Sequence, residues 1–338
     1  MDNQLNVKKK YLQSIIPRLD AGQTEQMLLL VNKLNTASTP QKEASKTPDN
    51  ADPYTEFMGM IGCENAKKQL NNMISAYRLR KIALQRNHPM QTQYYHAVFT
   101  GHPGCAKTTC ARLFAKILAN EGMLKTDKFA ELSRADLCGR YQGETAKSVQ
   151  SIFCKNKGGL IFIDEAYSLY EKDSDRYSYG EEAINELIVG LENNPDTVVI
   201  FAGYPDKMET FLNANPGLAS RIPFRVTFDD YSAEQLLQIS QHIAKQNGFS
   251  IAHTADEKLL TLFAAERQQK NFGNGRYVRN LIEEAIREKS RQLGILTHDT
   301  AEFADPERFS DETLFTLSET CFPTARPLKA PSQHRIGF

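Results

Sequence analysis

The sequence predicts an α/β fold: a mostly parallel sheet covered by helices on both faces, followed by a smaller all-helical domain. Three observations predict it. Five short apolar runs alternate with helix-period segments between residues 53 and 230. A glycine-containing loop follows the first run and opens a helix. Beyond Tyr231 apolar residues recur at a spacing of 3–4 with no further strand-like run.

The elements follow in chain order. Residues 1–35 read as a short N-terminal helical extension. Leu5, Tyr11, Leu12, Ile15 and Ile16 form one apolar face, Pro17 and Gly22 interrupt it, and Met27 to Leu34 form another. A packing extension and a docking module both fit that pattern. Residues 36–52, "TASTPQKEASKTPDNAD", are polar and Pro-containing, as a flexible linker is. The α/β region is 53–230. Its strand candidates are "HAVFTG" (96–101), "KFAELS" (128–133), "GLIFIDE" (159–165), "TVVIFAG" (197–203) and "FRVTFDD" (224–230). Helical segments at 107–120, 144–154 and 180–192 separate them. Such alternation implies parallel pairing with both sheet faces buried, and ligands in such sheets sit at the carboxyl ends of the strands. Residues 231–296 form the helical domain. The tail, 297–338, is polar and weakly patterned, and no function is assigned to it.

Composition narrows the partners. Lys+Arg and Asp+Glu balance at 41 each, so no global positive charge holds nucleic acid or an anionic membrane non-specifically. This argues against a nucleic-acid partner. The apolar runs are too short to span a bilayer, and the N-terminus has no signal-peptide core. Cysteines 63, 105, 110, 138, 154 and 321 show neither a CxxC pair nor zinc-ligand spacing. Reduced thiols in a cytosolic protein are the expectation.

The chemistry concentrates in "FTGHPGCAKTTCARLFAKIL" (99–118). Gly101, Pro103 and Gly104 lie between a strand and a helix, where a curled backbone points successive N–H groups at one anion. Lys107 adds charge for β and γ phosphates, and Thr108 offers a hydroxyl to Mg²⁺. The strict pattern G-x-x-x-x-G-K-[ST] fails at Ala106, which replaces its last glycine. A methyl group there costs little at negative φ and more at positive φ, but alanine keeps the N–H that binds phosphate. Downstream, "LIFIDE" (160–165) buries four apolar residues and delivers Asp164 and Glu165 to a strand's carboxyl end. Asp164 is placed to hold Mg²⁺ and Glu165 to take a proton from attacking water. Alone, such a pair would fit a helix cap or solvated surface. Together with the phosphate loop it points to ATP and Mg²⁺ as cofactors.

This combination resembles the AAA+ ATPase family from about Pro53 to Leu296. The resemblance implies strand order 5-1-4-3-2 and a helical lid. "GMIGCENAKKQLNNMI" (59–74) resembles the segment beside adenine, implying Ile61 and Gly62. "GHPGCAKT" resembles Walker A, implying nucleotide contacts from Gly101, His102, Pro103, Gly104, Cys105, Ala106, Lys107, Thr108 and Thr109. "LIFIDE" resembles Walker B. "NPGLASRI" (215–222) is similar to the arginine-finger segment, which implies that Arg221 reaches the next subunit's γ-phosphate. "GNGRYVRN" (273–280) resembles the sensor-2 motif, implying Arg276, with Arg279 second. "LCGRYQGETAKSV" (137–149) resembles the first pore loop, with Tyr141, Gln142 and Gly143 at the aromatic–x–glycine position; an aromatic there grips peptide through its flat face.

The stretch 179–232 is very similar to the branch with red-type Rubisco activase, stage V sporulation protein K and the type VII secretion EccA proteins. Members of that branch are ring-forming ATPases, typically hexamers. The resemblance therefore implies a cytoplasmic homo-oligomer that hydrolyses ATP to remodel or partly thread a protein partner. Two alternatives stay open. One is a nucleotide-gated scaffold with slow turnover, suggested by Ala106 and by Tyr204, which stands where many family members have asparagine. The other is a DNA-acting loader, against which the charge balance weighs. Cys105 reads either as a small loop residue or as a redox-sensitive thiol acidified by a helix N-terminus.

Overall fold

Five parallel strands carry the molecule: β1 (Ala97–Gly101), β2 (Phe129–Leu132), β3 (Leu160–Ile163), β4 (Val198–Gly203) and β5 (Phe224–Phe228). Their order is β2-β3-β4-β1-β5, the order that the resemblance implied, counted from the other edge. All five lie inside the apolar runs of the sequence. The computed structural model describes residues 52–91, 93–139, 143–170, 179–269, 272–293 and 309–324. The N-terminal extension and all of the linker before Asp52 lie outside them.

Period-two alternation sends side chains to two cores. On one face Phe99, Phe162 and Ile200 meet α1 (Pro53–Met58), α2 (Glu64–Gln85) and α3 (Lys107–Asn120). There the Phe57 and Phe99 rings both meet Phe114 edge-on, at 5.2 and 5.4 Å. On the other face Val98, Ile161 and Phe201 meet α4 (Arg134–Leu137), α5 (Glu144–Lys155), α6 (Tyr179–Asn193), α7 (Pro205–Ala214) and α8 (Pro216–Ala219). Helix α2 also guards the exposed strand: Asn65 Oδ1 accepts from Thr227 N at 3.1 Å, occupying one N–H of edge strand β5.

The lid begins at a capping box. Gln235 N donates to Ser232 Oγ at 3.1 Å and Ser232 N donates to Gln235 Oε1 at 2.9 Å, which starts α9 (Ala233–Gln246) right after Tyr231. Helices α10 (Asp256–Glu266) and α11 (Asn274–Gln292) pack on it around Leu236, Phe263, Val278 and Ile282. Residues 309–324 return to this core, although the sequence pattern places them in the tail. After α12 (Asp311–Phe315), β7 (Thr316–Leu317) pairs in parallel with β6 (Ser250–Ile251), and Leu317, Cys321 and Phe322 are buried in the lid. A two-residue strand is too short for its period to be read. Among the described residues no helix is long and apolar enough to cross a membrane.

Candidate nucleotide site

The phosphate loop leaves β1 through a crowded gap. A Cβ on Gly101 would stand 2.6 Å from the Phe228 carbonyl oxygen of β5, so only glycine passes there. Gly104 (φ +74°) and Ala106 (φ +67°) are both left-handed, and Ala106 caps α3. The positive-φ case therefore holds for Ala106, and its methyl group costs about 1 kcal/mol. Lys107 Nζ donates to the carbonyls of Gly101 and His102, both at 2.8 Å. This folds its ammonium into the loop. Cys105 is buried and donates to His102 O at 2.8 Å. Burial pushes its thiol up, and neighbouring Lys107 opposes this only in part. Of its two readings, the buried position favours the small loop residue.

Strand order delivers the acidic pair to the same edge. β3 runs parallel to β1 with β4 between them, so Asp164 and Glu165 emerge beside the loop at 101–108. Asp164 is half-buried, and its Oδ1 accepts from Glu165 N at 3.0 Å. Glu165 is exposed and left-handed, at φ +48°. It opens a 3₁₀ turn, Ala166–Leu169. A hydroxyl from Thr108 and a carboxylate from Asp164 are hard oxygen donors, the chemistry that fits Mg²⁺. Thr109 is exposed on the first turn of α3.

Tyr204, between β4 and α7, lies within an aromatic–cation cluster. Its ring lies 5.9 Å from that of Tyr167, and Lys207 Nζ stands 4.4 Å from the Tyr167 ring centroid. Sequence reasoning noted Tyr204 but missed Tyr167 and Lys207, whose approach depends on the turn after Glu165.

The predicted adenine segment begins in the turn between α1 and α2 and runs on into α2. Ile61 and Gly62 are half-buried, and a Cβ on Gly62 would meet the Tyr231 ring at 2.9 Å. Next to them Cys63 Sγ lies 3.9 Å from Cys110 Sγ and 3.8 Å from the Tyr231 hydroxyl. The Cys110 thiol donates to Cys63 and holds Cys63 below the usual thiol range, while the same bond and burial push Cys110 up. The acidified thiol is thus Cys63, not Cys105.

The lid reaches the loop directly. Gly275 N donates to Gly104 O at 3.1 Å, which places the start of α11, and the exposed Arg276 on it, alongside the loop. Arg279 lies one turn further on and is also exposed. Of the predicted pore loop, Gly143 is left-handed (φ +81°) and starts α5, whereas Tyr141 and Gln142 lie outside the described residues.

Arg221 is not brought to this site. It precedes β5, whose first residue Phe224 pairs with Ala97 at the start of β1. It therefore lies at the amino edge of the sheet, with the length of β1, roughly 13 Å at about 3.3 Å per residue, between it and the loop level. There Arg221 Nε donates to Glu192 Oε1 at 3.0 Å and its Nη1 to Gly217 O at 2.6 Å.

Comparison with known proteins agrees with this geometry. A family model described as "ATPase family associated with various cellular activities (AAA)" matches residues 97–230, and an AAA lid domain model matches residues 232–326. The chain is 38% identical over 239 residues to the chloroplastic ribulose bisphosphate carboxylase/oxygenase activase of Cyanidioschyzon merolae, covering 70% of this chain and 80% of that relative. The chain belongs to the AAA family of ATPases. It is also 35% identical over 245 residues to stage V sporulation protein K of Bacillus subtilis, covering 70% of this chain and 74% of that protein. A solved structure, the FIGL-1 AAA domain in complex with ADP, matches with a TM-score of 0.54 at 20% identity, over 81% of this chain and 85% of that one. That likeness shows the fold. The lid match runs to residue 326, in keeping with the packing of 309–324 into the lid. This AAA protein binds and hydrolyses ATP and is related to activases and chaperone-like proteins.

Proposed function

We propose that this AAA ATPase is a cytosolic, hexameric ring that spends ATP on remodelling or partly threading a protein partner. The observation that carries the reading is the separation of Arg221 from Lys107, Asp164 and Glu165 across the sheet. A subunit holds the phosphates at one edge and presents an arginine at the other. A ring of identical head-to-tail interfaces joins the two edges. Lys107 and the backbone N–H groups of 101–108 bind the β and γ phosphates. Glu165 takes the proton of the attacking water. Arg221 of the next subunit and Arg276 of the lid meet negative charge on the transferring oxygens. Thr108 and Asp164 would hold Mg²⁺, which neutralises phosphate charge when bound. Ile61 and Gly62 face the adenine, and Tyr141, Gln142 and Gly143 contact the substrate polypeptide. The strained Ala106 favours a second reading, a slowly turning nucleotide-gated scaffold.

The test compares ATP hydrolysis by the parent and Glu165→Gln, with particle mass from light scattering with and without ATP. We expect turnover by a ring-sized parent particle and a loss of at least about a hundredfold in Glu165→Gln. Assembly with no turnover would select the scaffold, and a monomer under all conditions would overturn the ring.

A further inference from the structure

Asn274 is the first residue of α11 and is 0% exposed. Its backbone is left-handed, at φ +47°. Asparagine tolerates that region better than most residues. Both ends of its amide are in use. Oδ1 accepts from Tyr231 N at 3.1 Å, while Nδ2 donates to Asp230 Oδ1 at 2.7 Å and faces Pro103 O at 3.4 Å. Asp230 in turn lies 3.1 Å from His102 Nδ1. One side chain therefore joins three segments: the phosphate loop, the passage from β5 into the lid, and the helix start that carries Arg276.

The backbones leave no slack around this junction. Gly275 N bonds Gly104 O, and a Cβ on Gly104 would lie 2.2 Å from Gly273 O. The lid cannot turn against the phosphate loop without breaking the bonds from Gly275 N to Gly104 O and from Asn274 to Pro103 O, and the short bond to the Asp230 carboxylate holds the same amide in place. Hydrogen bonds to a charged acceptor are stronger than neutral ones. Nor can the loop carbonyls at 102–104 shift without disturbing the same junction. The orientation of the lid and the shape of the loop are thus one linked equilibrium.

We propose that Asn274 is a positioning residue for ATP hydrolysis, acting through Asp230 and His102 to set the phosphate loop and Arg276 in register. The proposal rests on the reading of 101–108 as the ATP site. A residue that only stabilises the lid would lower the melting temperature and leave kcat of the folded protein unchanged. A positioning residue changes kcat of the folded protein.

The experiment measures kcat and KM for Asn274→Asp, Asn274→Gly, Asp230→Asn and the double variant Asn274→Asp/Asp230→Asn. Circular dichroism fixes a temperature at which each is folded. Asn274→Asp sets two carboxylates together, and we expect kcat to fall about tenfold or more. The double variant restores the 230–274 bond with donor and acceptor exchanged and keeps an acceptor for Tyr231 N, but leaves Pro103 O without its donor, so we expect partial recovery, to a kcat at least about threefold above that of Asn274→Asp. Asn274→Gly tolerates the left-handed backbone and removes the side-chain bonds. It should lose kcat about tenfold as well, and it decides the matter if Asn274→Asp does not fold. Folded single variants with parental kcat and KM, or a folded double variant as slow as Asn274→Asp, would overturn the proposal alone. A parent that hydrolyses no ATP would overturn the site reading together with it.

Discussion

The two edges of the central sheet are built differently. Among the described residues, the non-glycine positions with positive φ are Cys63, Asn87, Ala106, Glu165 and Asn274. All but Asn87 belong to the segments assembled around the carboxyl edge: the predicted adenine turn, the phosphate loop, the acidic pair and the lid junction. The amino edge carries Arg221, Glu192 and His96 on ordinary backbone, fixed by hydrogen bonds such as Val199 N to His96 Nδ1 at 3.1 Å. Strained backbone persists where the surrounding structure over-determines it, and it concentrates at binding and catalytic sites. The comparison teaches that the carboxyl edge carries the strained backbone expected of a binding site, whereas the amino edge holds Arg221 on relaxed, well-bonded backbone, as the proposed ring requires of a charge offered to a neighbouring subunit.

The largest expected effect breaks the amino edge. Arg221→Ala should lower kcat roughly 1000-fold while nucleotide affinity, measured by titration of a fluorescent ATP analogue, stays near the parent's. A loss of affinity with kcat intact would move Arg221 out of the transition state.

Acid should reveal the structural character of the same edge. His96 is buried beside β4, and burial lowers its pKa to about 4. The unfolded chain takes up a proton near pH 6.5 and the folded chain does not, so stability falls as pH drops from about 6.5 towards 4. Denaturant unfolding should show the parent losing up to roughly 3 kcal/mol more than His96→Gln across that window. Parallel losses would mean that His96 does not titrate with unfolding.

At the carboxyl edge, Ala106→Gly relieves a left-handed alanine and should add roughly 1 kcal/mol, or about 2 °C in calorimetric melting. No gain would mean that the loop relaxes around alanine. The smallest effect is expected at Glu192→Gln. Its partly exposed ion pair with Arg221 contributes at most about 1 kcal/mol, so kcat should change by no more than several-fold. A change comparable to Arg221→Ala would make Glu192 part of the machinery.

Much of the carboxyl edge was legible in the sequence because its signals are local. Apolar runs set the strands, and the loop and the pair at 164–165 are contiguous motifs. The sign of φ at Ala106 was not legible, since the same loop sequence permits either backbone. Asn274 reads as one polar residue in a helix start. Its burial comes from Pro103, Asp230 and Tyr231, distant in the chain. Glu192 lies at the end of an amphipathic helix, and nothing in that pattern names Arg221 as its partner. The return of 309–324 to the lid depends on a strand of two residues, below the length at which alternation carries information. Which of its two readings Cys105 follows was not legible either, since a helix N-terminus acidifies a thiol only where burial does not win.

The central claim is that each subunit supplies half of a catalytic site at each sheet edge. The most direct test mixes two variants, Lys107→Ala, with a disabled phosphate loop, and Arg221→Ala, with a disabled finger. Pull-down through a tag on one of them verifies that mixed particles form. Each alone should be nearly inactive, and an equal mixture should regain about a quarter of parental ATP hydrolysis, the share of random head-to-tail interfaces that pair an intact loop with an intact arginine. Verified mixed particles with no recovered hydrolysis would contradict the claim.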